Sequence, residues 1–170
     1  EGIIWIATNE GLNSYNRKTD QFTRYNNYSG KTGEMPSNRI TCMTLGENGS
    51  LWIGTEDAGV YIMDRKDKTF MKLNFPSGLI TYKNNQAIQS IRMDHDGNTW
   101  IGMYGAGLYF YNHNNGSFTP YLHKDNDPGS ISSDKIYYVF EDFKKQIWVG
   151  TDGGGLNLFD PKTKTFSHFK

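Results

Sequence analysis

Seven residues with charged or aromatic side chains occur at related places in this chain of 170 residues. Five of them follow a tryptophan by four or five positions, in short segments that also contain glycine: Glu10, Glu56, Asp57, Tyr104 and Asp152. The other two, Arg39 and Lys135, each stand directly before an isoleucine. The recurrence predicts that they share one surface of a repeated structure.

Their side chains are typical of a site for a polar, ring-shaped ligand. Carboxylates accept hydrogen bonds from sugar hydroxyls, and an aromatic ring packs against the C–H face of a sugar. Arg39 and Lys135 are suited to an acidic sugar. The alternative is that the glycines only satisfy turn geometry and the acids only solvate a surface.

The elements that position these residues are repeated four times. Trp5, Trp52, Trp100 and Trp148 lie 47, 48 and 48 residues apart. Around them the chain reads IIWIATNEGLNSYN, SLWIGTEDAGVYIMD, NTWIGMYGAGLYFYN and QIWVGTDGGGLNLFD. A fixed period of this length indicates a repeat architecture, in which one unit cannot bury its apolar face alone.

Each unit is predicted to contain four strands. The first strand covers about 39–46, 87–94 and 135–142, and a tight turn such as Asp96-Gly97 joins it to the tryptophan strand. The third strand is predicted at Leu12–Asn16, Val60–Asp64, Leu108–Asn112 and Leu156–Asp160. The fourth begins at Phe22, Phe70, Phe118 and Phe166. No window shows helical periodicity.

The fold class is therefore all-β, a β-propeller fragment of about four blades, each a four-stranded antiparallel meander. We expect a partial blade at 1–36 that lacks its first strand, and blades at 37–83, 84–131 and 132–170. The tryptophans are expected to pack between blades, and the seven polar residues to lie at the end of the blades where the chain passes from one to the next. Long connections are expected at 26–38, 74–86 and 122–134.

An open stack of blades would expose two apolar sheet faces. We therefore expect the chain's partners to be other blades of the same parent chain or a second copy in a homo-oligomer. The 18 basic and 18 acidic residues balance, which gives no support for nucleic-acid or membrane contact. The single Cys42 excludes an intramolecular disulfide framework and is expected to be a buried, inert thiol.

The repeated phrase resembles the two-component regulator propeller repeat. The shared pattern is I-x-x-[IVM], then [IL]-W-[IV]-G-T-x-x-G-L-x-x-[FY]-[DN] and a later F, and it is clearest at Ile147–Asp160. Ala7, Val60 and Met103 depart from it in ways that suit packing variation.

The resemblance implies a periplasmic sensor segment of a hybrid two-component system of the Bacteroidetes type, whose kinase lies outside this chain. Sensors of this family typically respond to oligosaccharides, so an oligosaccharide ligand is expected for the residues described above. The resemblance implies no cofactor and no catalytic residue.

Other chemistry is weakly supported. Asp94-His95-Asp96-Gly97-Asn98 resembles the start of a calcium loop, but Gly105 stands where such a loop needs a glutamate. The four histidines have no zinc-ligand spacing and are expected to be solvated turn or edge residues. Three sequons, which begin at Asn27, Asn48 and Asn115, are read as turns.

Two alternatives to a sensor remain. A propeller enzyme acting on glycans, a lyase or a glycosidase, would lose turnover on Asp57→Asn or Asp152→Asn. A protein-interaction or dimerisation scaffold would bind no oligosaccharide.

Overall fold

The computed structural model describes residues 2–26, 35, 37–46, 48–79 and 87–170. Fifteen strands and no helix occur within these residues, in four antiparallel sheets. Sheet 1 contains β1 (Ile3–Thr8), β2 (Gly11–Asn16) and β3 (Gln21–Tyr25). Sheet 2 contains β4 (Ile40–Leu45), β5 (Leu51–Thr55), β6 (Val60–Met63) and β7 (Phe70–Lys72). Sheet 3 contains β8 (Ile88–Met93), β9 (Thr99–Met103), β10 (Gly107–Asn112) and β11 (Ser117–Tyr121). Sheet 4 contains β12 (Ile136–Glu141), β13 (Ile147–Thr151), β14 (Gly155–Asp160) and β15 (Thr165–Phe169).

Within each sheet the strands are paired in chain order, as in a meander. The predicted all-β propeller class and the predicted strands are thereby confirmed. The blade boundaries at 36, 83 and 131 stay predictions, since the sheets do not specify where one blade ends. The connections 26–38 and 74–86 and the sequon at Asn27 lie wholly or largely outside the described residues, whereas 122–134 is described and contains no strand.

An aspartate closes the first turn of sheets 3 and 4 and also holds the tryptophan. Asp94 Oδ1 accepts from the amides of Asp96 and Asn98, and its Oδ2 accepts from the Trp100 indole at 3.0 Å. Asp142 repeats this arrangement and accepts from the Trp148 indole at 3.0 Å. The Trp148 indole N–H, the largest contribution, holds the pKa of the Asp142 carboxyl below its usual range. Asp94, the first residue of the segment that resembles the start of a calcium loop, therefore caps a hairpin turn.

Every described first strand contains a β-bulge near its start. The pairing register shifts between Ile40 and Cys42, between Ile88 and Ser90, and between Ile136 and Tyr138. A bulge places two residues opposite one and redirects a side chain. In sheet 4 the extra residue is Tyr137, whose ring lies 5.5 Å from that of Tyr104.

The core consists of three layers of side chains between successive sheets. Each layer contains aliphatic residues from both sheets that flank it. Trp52 and Trp100 are 3% exposed and contact the following sheet, where the nearest ring centroids are those of His113 at 5.2 Å and Phe159 at 4.9 Å. These two tryptophans pack between blades, as the sequence predicts.

An isoleucine of one sheet packs over a glycine of the preceding sheet. A Cβ added to Gly54 would lie 2.6 Å from Ile88 Cγ2, and one added to Gly102 would lie 2.6 Å from Ile136 Cγ2. Neither distance is attainable for a real Cβ, so only glycine permits this packing. The half-buried Cys42 lies beside the first contact, and burial raises the pKa of its thiol to about 12, which agrees with an inert thiol.

The equivalent glycine of sheet 4, Gly150, faces no neighbouring sheet. A Cβ there would have only the Tyr138 carbonyl oxygen nearby, at 3.9 Å. Around it lies an apolar surface, which we call the Gly150 face, formed by Tyr138, Phe140, Trp148 and Leu156. Sheet 4 therefore exposes the surface that sheets 2 and 3 bury.

These two glycines give a matched stability test. Gly102→Ala is expected to lower the free energy of unfolding by roughly 1–3 kcal/mol, because the added methyl group displaces Ile136. Gly150→Ala, in the same strand position, is expected to change it by less than about 0.5 kcal/mol. Urea unfolding followed by tryptophan fluorescence measures both. Equal effects of the two substitutions would show that sheet contact does not explain the glycine.

Candidate ligand-binding site

Main-chain hydrogen bonds at one end of the sheets bring the sequence-predicted residues together. Glu56 N donates to Arg39 O at 2.9 Å, and Asp152 N donates to Lys135 O at 2.8 Å. In each case the residue four after the tryptophan is fixed beside the residue that precedes the first strand. We call this end of sheets 1 to 4 the rim.

On sheet 2 the rim residues form two contacts. Arg39 and Glu56 make an ion pair at 2.6 Å, with both side chains substantially exposed. Asp57 accepts a hydrogen bond at 2.6 Å from the Ser37 hydroxyl, which in turn accepts from the Arg39 amide at 3.1 Å. An exposed ion pair contributes about 0–1 kcal/mol, so these charges are available to a ligand at small cost.

The rim residues of sheets 3 and 4 form a single cluster across the boundary between the sheets. The Tyr104 hydroxyl donates to Asp152 Oδ2 at 2.8 Å, and Lys135 Nζ lies 3.8 Å from the same oxygen. The ammonium also lies 5.9 Å from the centroid of the Tyr104 ring. Tyr137 adds a second ring. We call these four residues the rim cluster.

The hydrogen bond to the Asp152 carboxylate is the main reason that the pKa of Tyr104 is raised to about 12. Desolvation and the negative charge of Asp152 act in the same direction. At neutral pH the tyrosine is therefore a firm hydrogen-bond donor, and the cluster presents one donor, one cation and one carboxylate on two half-exposed rings.

Glu10 does not join the others. Its amide N–H donates to Thr8 Oγ1 at 3.2 Å. Within the described residues, no hydrogen bond or ion pair connects the Glu10 carboxylate to the remaining six predicted residues. The structure thus gathers Tyr104, Lys135 and Asp152 and pairs Arg39 with Glu56. Asp57 is connected to Arg39 only through Ser37, and Glu10 lies apart from both groups.

Sequence reasoning missed Ser37 and Tyr137. The sequence contains a signal for Ser37, because a serine stands two residues before both Arg39 and Lys135. The second serine, Ser133, likewise accepts a hydrogen bond from the Lys135 amide, at 3.2 Å. No sequence pattern identifies Tyr137, because the β-bulge is what turns its ring towards Tyr104. The histidines lie in turns, loops or the edge strand as predicted, yet they make defined contacts, such as His95 Nδ1 with Glu141 Oε1 at 2.5 Å.

No group of three or more potential metal ligands is found among the described residues. In the same part of the chain, no helix is long and apolar enough to cross a membrane.

A known protein family matches two segments of this sequence. The family described as two component regulator propeller matches residues 34–57 and 82–105, which include Arg39, Glu56, Asp57 and Tyr104. The chain is similar over 98% of its length to the extracellular domain of a Bacteroides thetaiotaomicron protein assigned as a hybrid two-component system. The sequence identity is 27%, the TM-score is 0.79, and the match covers 22% of that protein. Two segments of the chain therefore match the repeat that the resemblance implied.

Two further solved structures share the fold at lower identity. One is another B. thetaiotaomicron extracellular domain, assigned as a one-component or hybrid two-component system, with 18% identity, a TM-score of 0.54 and coverage of 92% of this chain and 26% of that one. The other is an auxiliary nutrient binding protein of the same organism, with 12% identity, a TM-score of 0.66 and coverage of 98% and 38%. The chain thus spans well under half of the length of each. No curated protein sequence matches it significantly.

The raised pKa of Tyr104 predicts a pH effect. The pKa lies above the usual value of 10, so the stability that the tyrosine gains from Asp152 is fully present below pH 10 and is lost as the pH rises through about 12. Asp152→Asn is expected to lower the pKa of Tyr104 from about 12 towards 10. Absorbance titration near 295 nm, with Tyr104→Phe to identify the signal, measures this. An unchanged titration in Asp152→Asn would contradict the assigned contact.

Proposed function

We propose that this chain, two segments of which match the two-component regulator propeller repeat, is a non-catalytic segment of a periplasmic sensor that binds an oligosaccharide at its rim. In this proposal the signal passes to a kinase outside the chain. The observation that carries it is the rim cluster, where Tyr104, Tyr137, Lys135 and Asp152 combine two rings with three polar groups.

The cluster has the side chains that sugar recognition needs. Tyr137 is 50% exposed, which leaves a ring face free to pack against a sugar. The side chains of Lys135 and Asp152 are 53% and 38% exposed and are able to donate to and accept from hydroxyl groups. The hydrogen bond from Tyr104 holds the carboxylate in place, so it is already ordered before a ligand arrives.

The position of the cluster also suggests how binding is communicated. Tyr104 belongs to the turn that follows β9, whereas Lys135, Tyr137 and Asp152 belong to sheet 4. A ligand that contacts both sides favours one relative placement of the two sheets, and a ligand shifts an equilibrium by its difference in affinity for the two states. The rest of the parent protein would respond to that placement.

Oligosaccharide binding is tested by calorimetry with a panel of neutral and acidic oligosaccharides. We expect Tyr137→Ala to weaken binding at the rim by about tenfold, the effect of losing roughly one aromatic contact of 1–1.5 kcal/mol. Tyr138→Ala is the matched control, because this adjacent tyrosine lies on the Gly150 face, and it should leave binding unchanged.

If the folded protein binds no oligosaccharide of the panel, the interaction scaffold is favoured. Hydrolysis or cleavage of a panel member that Asp57→Asn or Asp152→Asn abolishes would favour the glycan-processing enzyme. Either result would overturn the sensor proposal.

We also propose that the Gly150 face packs against a further blade, from the same parent chain or from a second copy. The support is the equivalence of Gly150 to Gly54 and Gly102, both of which are covered by an isoleucine of the next sheet. At the other end, Ile4, Ile6 and Phe22 of sheet 1 are 37%, 37% and 68% exposed, which leaves a second apolar face.

Sedimentation velocity over a range of concentrations tests this contact in the chain of 170 residues. We expect concentration-dependent association that Leu156→Glu reduces, because it places a charge on the apolar face. Phe143→Glu is the control, since Phe143 is 92% exposed in the β12–β13 turn and is not among the residues that line that face. A monomer at every concentration would argue against docking on this face by a second copy.

A further inference from the structure

A cleft lies between sheets 3 and 4 at the end of the strands opposite the rim. Its volume is about 610 Å³, within the range of small-molecule sites. Its walls are the β8–β9 turn on one side and the β12–β13 and β14–β15 turns on the other. None of the seven rim residues lines it. We call it the lower cleft.

The floor of the lower cleft is aromatic. Trp100 lies at its base, with the ring centroids of Phe110 and Phe159 each 4.9 Å away and that of Tyr121 5.8 Å away. Phe110, Tyr121 and Phe159 are only partly buried and line the cleft. Ring faces of this kind bind the C–H surface of a cyclic ligand.

The corresponding cleft between sheets 2 and 3 is smaller and has a different lining. Its volume is about 300 Å³, and no lysine lines it. His113, thirteen residues after Trp100, lies there 5.2 Å from the Trp52 ring. The residue thirteen after Trp148 is Pro161, which lines the lower cleft and has a smaller side chain than histidine. The space and the charge are therefore specific to the boundary between sheets 3 and 4.

Three lysines line the mouth of the lower cleft: Lys144, Lys145 and Lys164. Lys145 has a φ of 63°. The equivalent residues of sheets 2 and 3 are Gly49 and Gly97, with φ of 77° and 79°. A lysine is less favourable than glycine in this left-handed conformation. Lys164, with a φ of 58°, shares it.

The ammonium groups of Lys145 and Lys164 have no ion-pair partner within the described part of the chain. Three carboxylates also line the cleft, and of these Asp96 is 70% exposed and lies 3.3 Å from the His95 ring, whereas the other two are held by hydrogen bonds. Asp94 accepts from two amides and from the Trp100 indole. Glu141, with a side chain 8% exposed, binds the His95 amide and ring. The lower cleft therefore combines an aromatic floor with two lysines, Lys145 and Lys164, that form no ion pair in the described part of the chain, although lysines and carboxylates are equal in number in its lining.

We propose that the lower cleft binds a saccharide unit that carries a carboxylate, with the sugar ring on Phe110 and Phe159 and the carboxylate on Lys145 and Lys164. The saccharide class rests on the proposed function, but the site is separate from the rim. A carboxylate accepts charge-assisted hydrogen bonds from both ammonium groups. A neutral sugar would gain the ring contact and weaker hydrogen bonds from the ammonium groups to its hydroxyls, without the attraction between opposite charges.

The test is a titration of the protein with D-glucuronate, followed by the NMR signal of the Trp100 indole N–H. We expect glucuronate to shift this signal and D-glucose to do so at least about tenfold more weakly, because it lacks the charge-assisted bonds. Lys145→Gly should weaken glucuronate binding by about tenfold while leaving the melting temperature unchanged or higher, since glycine suits the turn. Retained folding together with lost binding separates a ligand role from a structural one.

Lys162→Ala is the matched control, because Lys162 lies in the same β14–β15 turn as Lys164 but does not line the cleft. It should leave the titration unchanged. Equal binding of glucose, unchanged affinity in Lys145→Gly, or equal loss in Lys162→Ala would each overturn the proposal. Benzoate binding as tight as that of glucuronate would overturn the saccharide class.

The rim proposal fails independently of this one. Tyr137→Ala should not affect the Trp100 signal. If rim substitutions change the affinity for no oligosaccharide while glucuronate still shifts the Trp100 indole signal, only the proposed site at the rim is wrong. If rim binding is found and the Trp100 signal does not move, only the lower cleft is wrong.

Discussion

The packing of one isoleucine over one glycine is the contact on which the arrangement of the sheets depends. Ile88 over Gly54 and Ile136 over Gly102 set the distance between neighbouring sheets close to the first strands. At that distance Trp52 and Trp100 reach the aromatic residues of the following sheet and become buried. A side chain on either glycine would separate the sheets and expose the tryptophan, so glycine and tryptophan act together.

The two ends of the strands are stabilised differently. At the lower end of sheets 3 and 4, Asp94 and Asp142 satisfy hairpin amides and a tryptophan indole with one carboxylate each. At the rim, the side chains of Arg39, Glu56, Lys135 and Asp152 are paired but remain partly exposed. Such pairs are rearranged by a ligand at little cost in stability.

Variation between the repeats indicates where specificity arises. The lower cleft is wide because Pro161 stands where the preceding unit has a histidine, and it gains an ammonium group because Lys145 stands where the two preceding units have a glycine. The rim cluster forms because Tyr104 stands where the next unit has Asp152, so that equivalent positions of adjacent units form a hydrogen bond. In both places the regular residues build the support and the irregular ones provide the chemistry.

The sequence alone determined the four units, their strands and the burial of Trp52 and Trp100, because periodic apolar residues and hairpin turns are local properties of the chain. It also identified the rim, since topology fixes which turns lie at one end.

Only the tertiary structure decided which rim residues meet. The union of Tyr104 with Asp152 depends on the spacing between sheets, and the orientation of Tyr137 depends on a bulge in β12. The lower cleft was likewise decided by tertiary packing, because its walls come from turns of two different sheets and no local pattern reports the space between them.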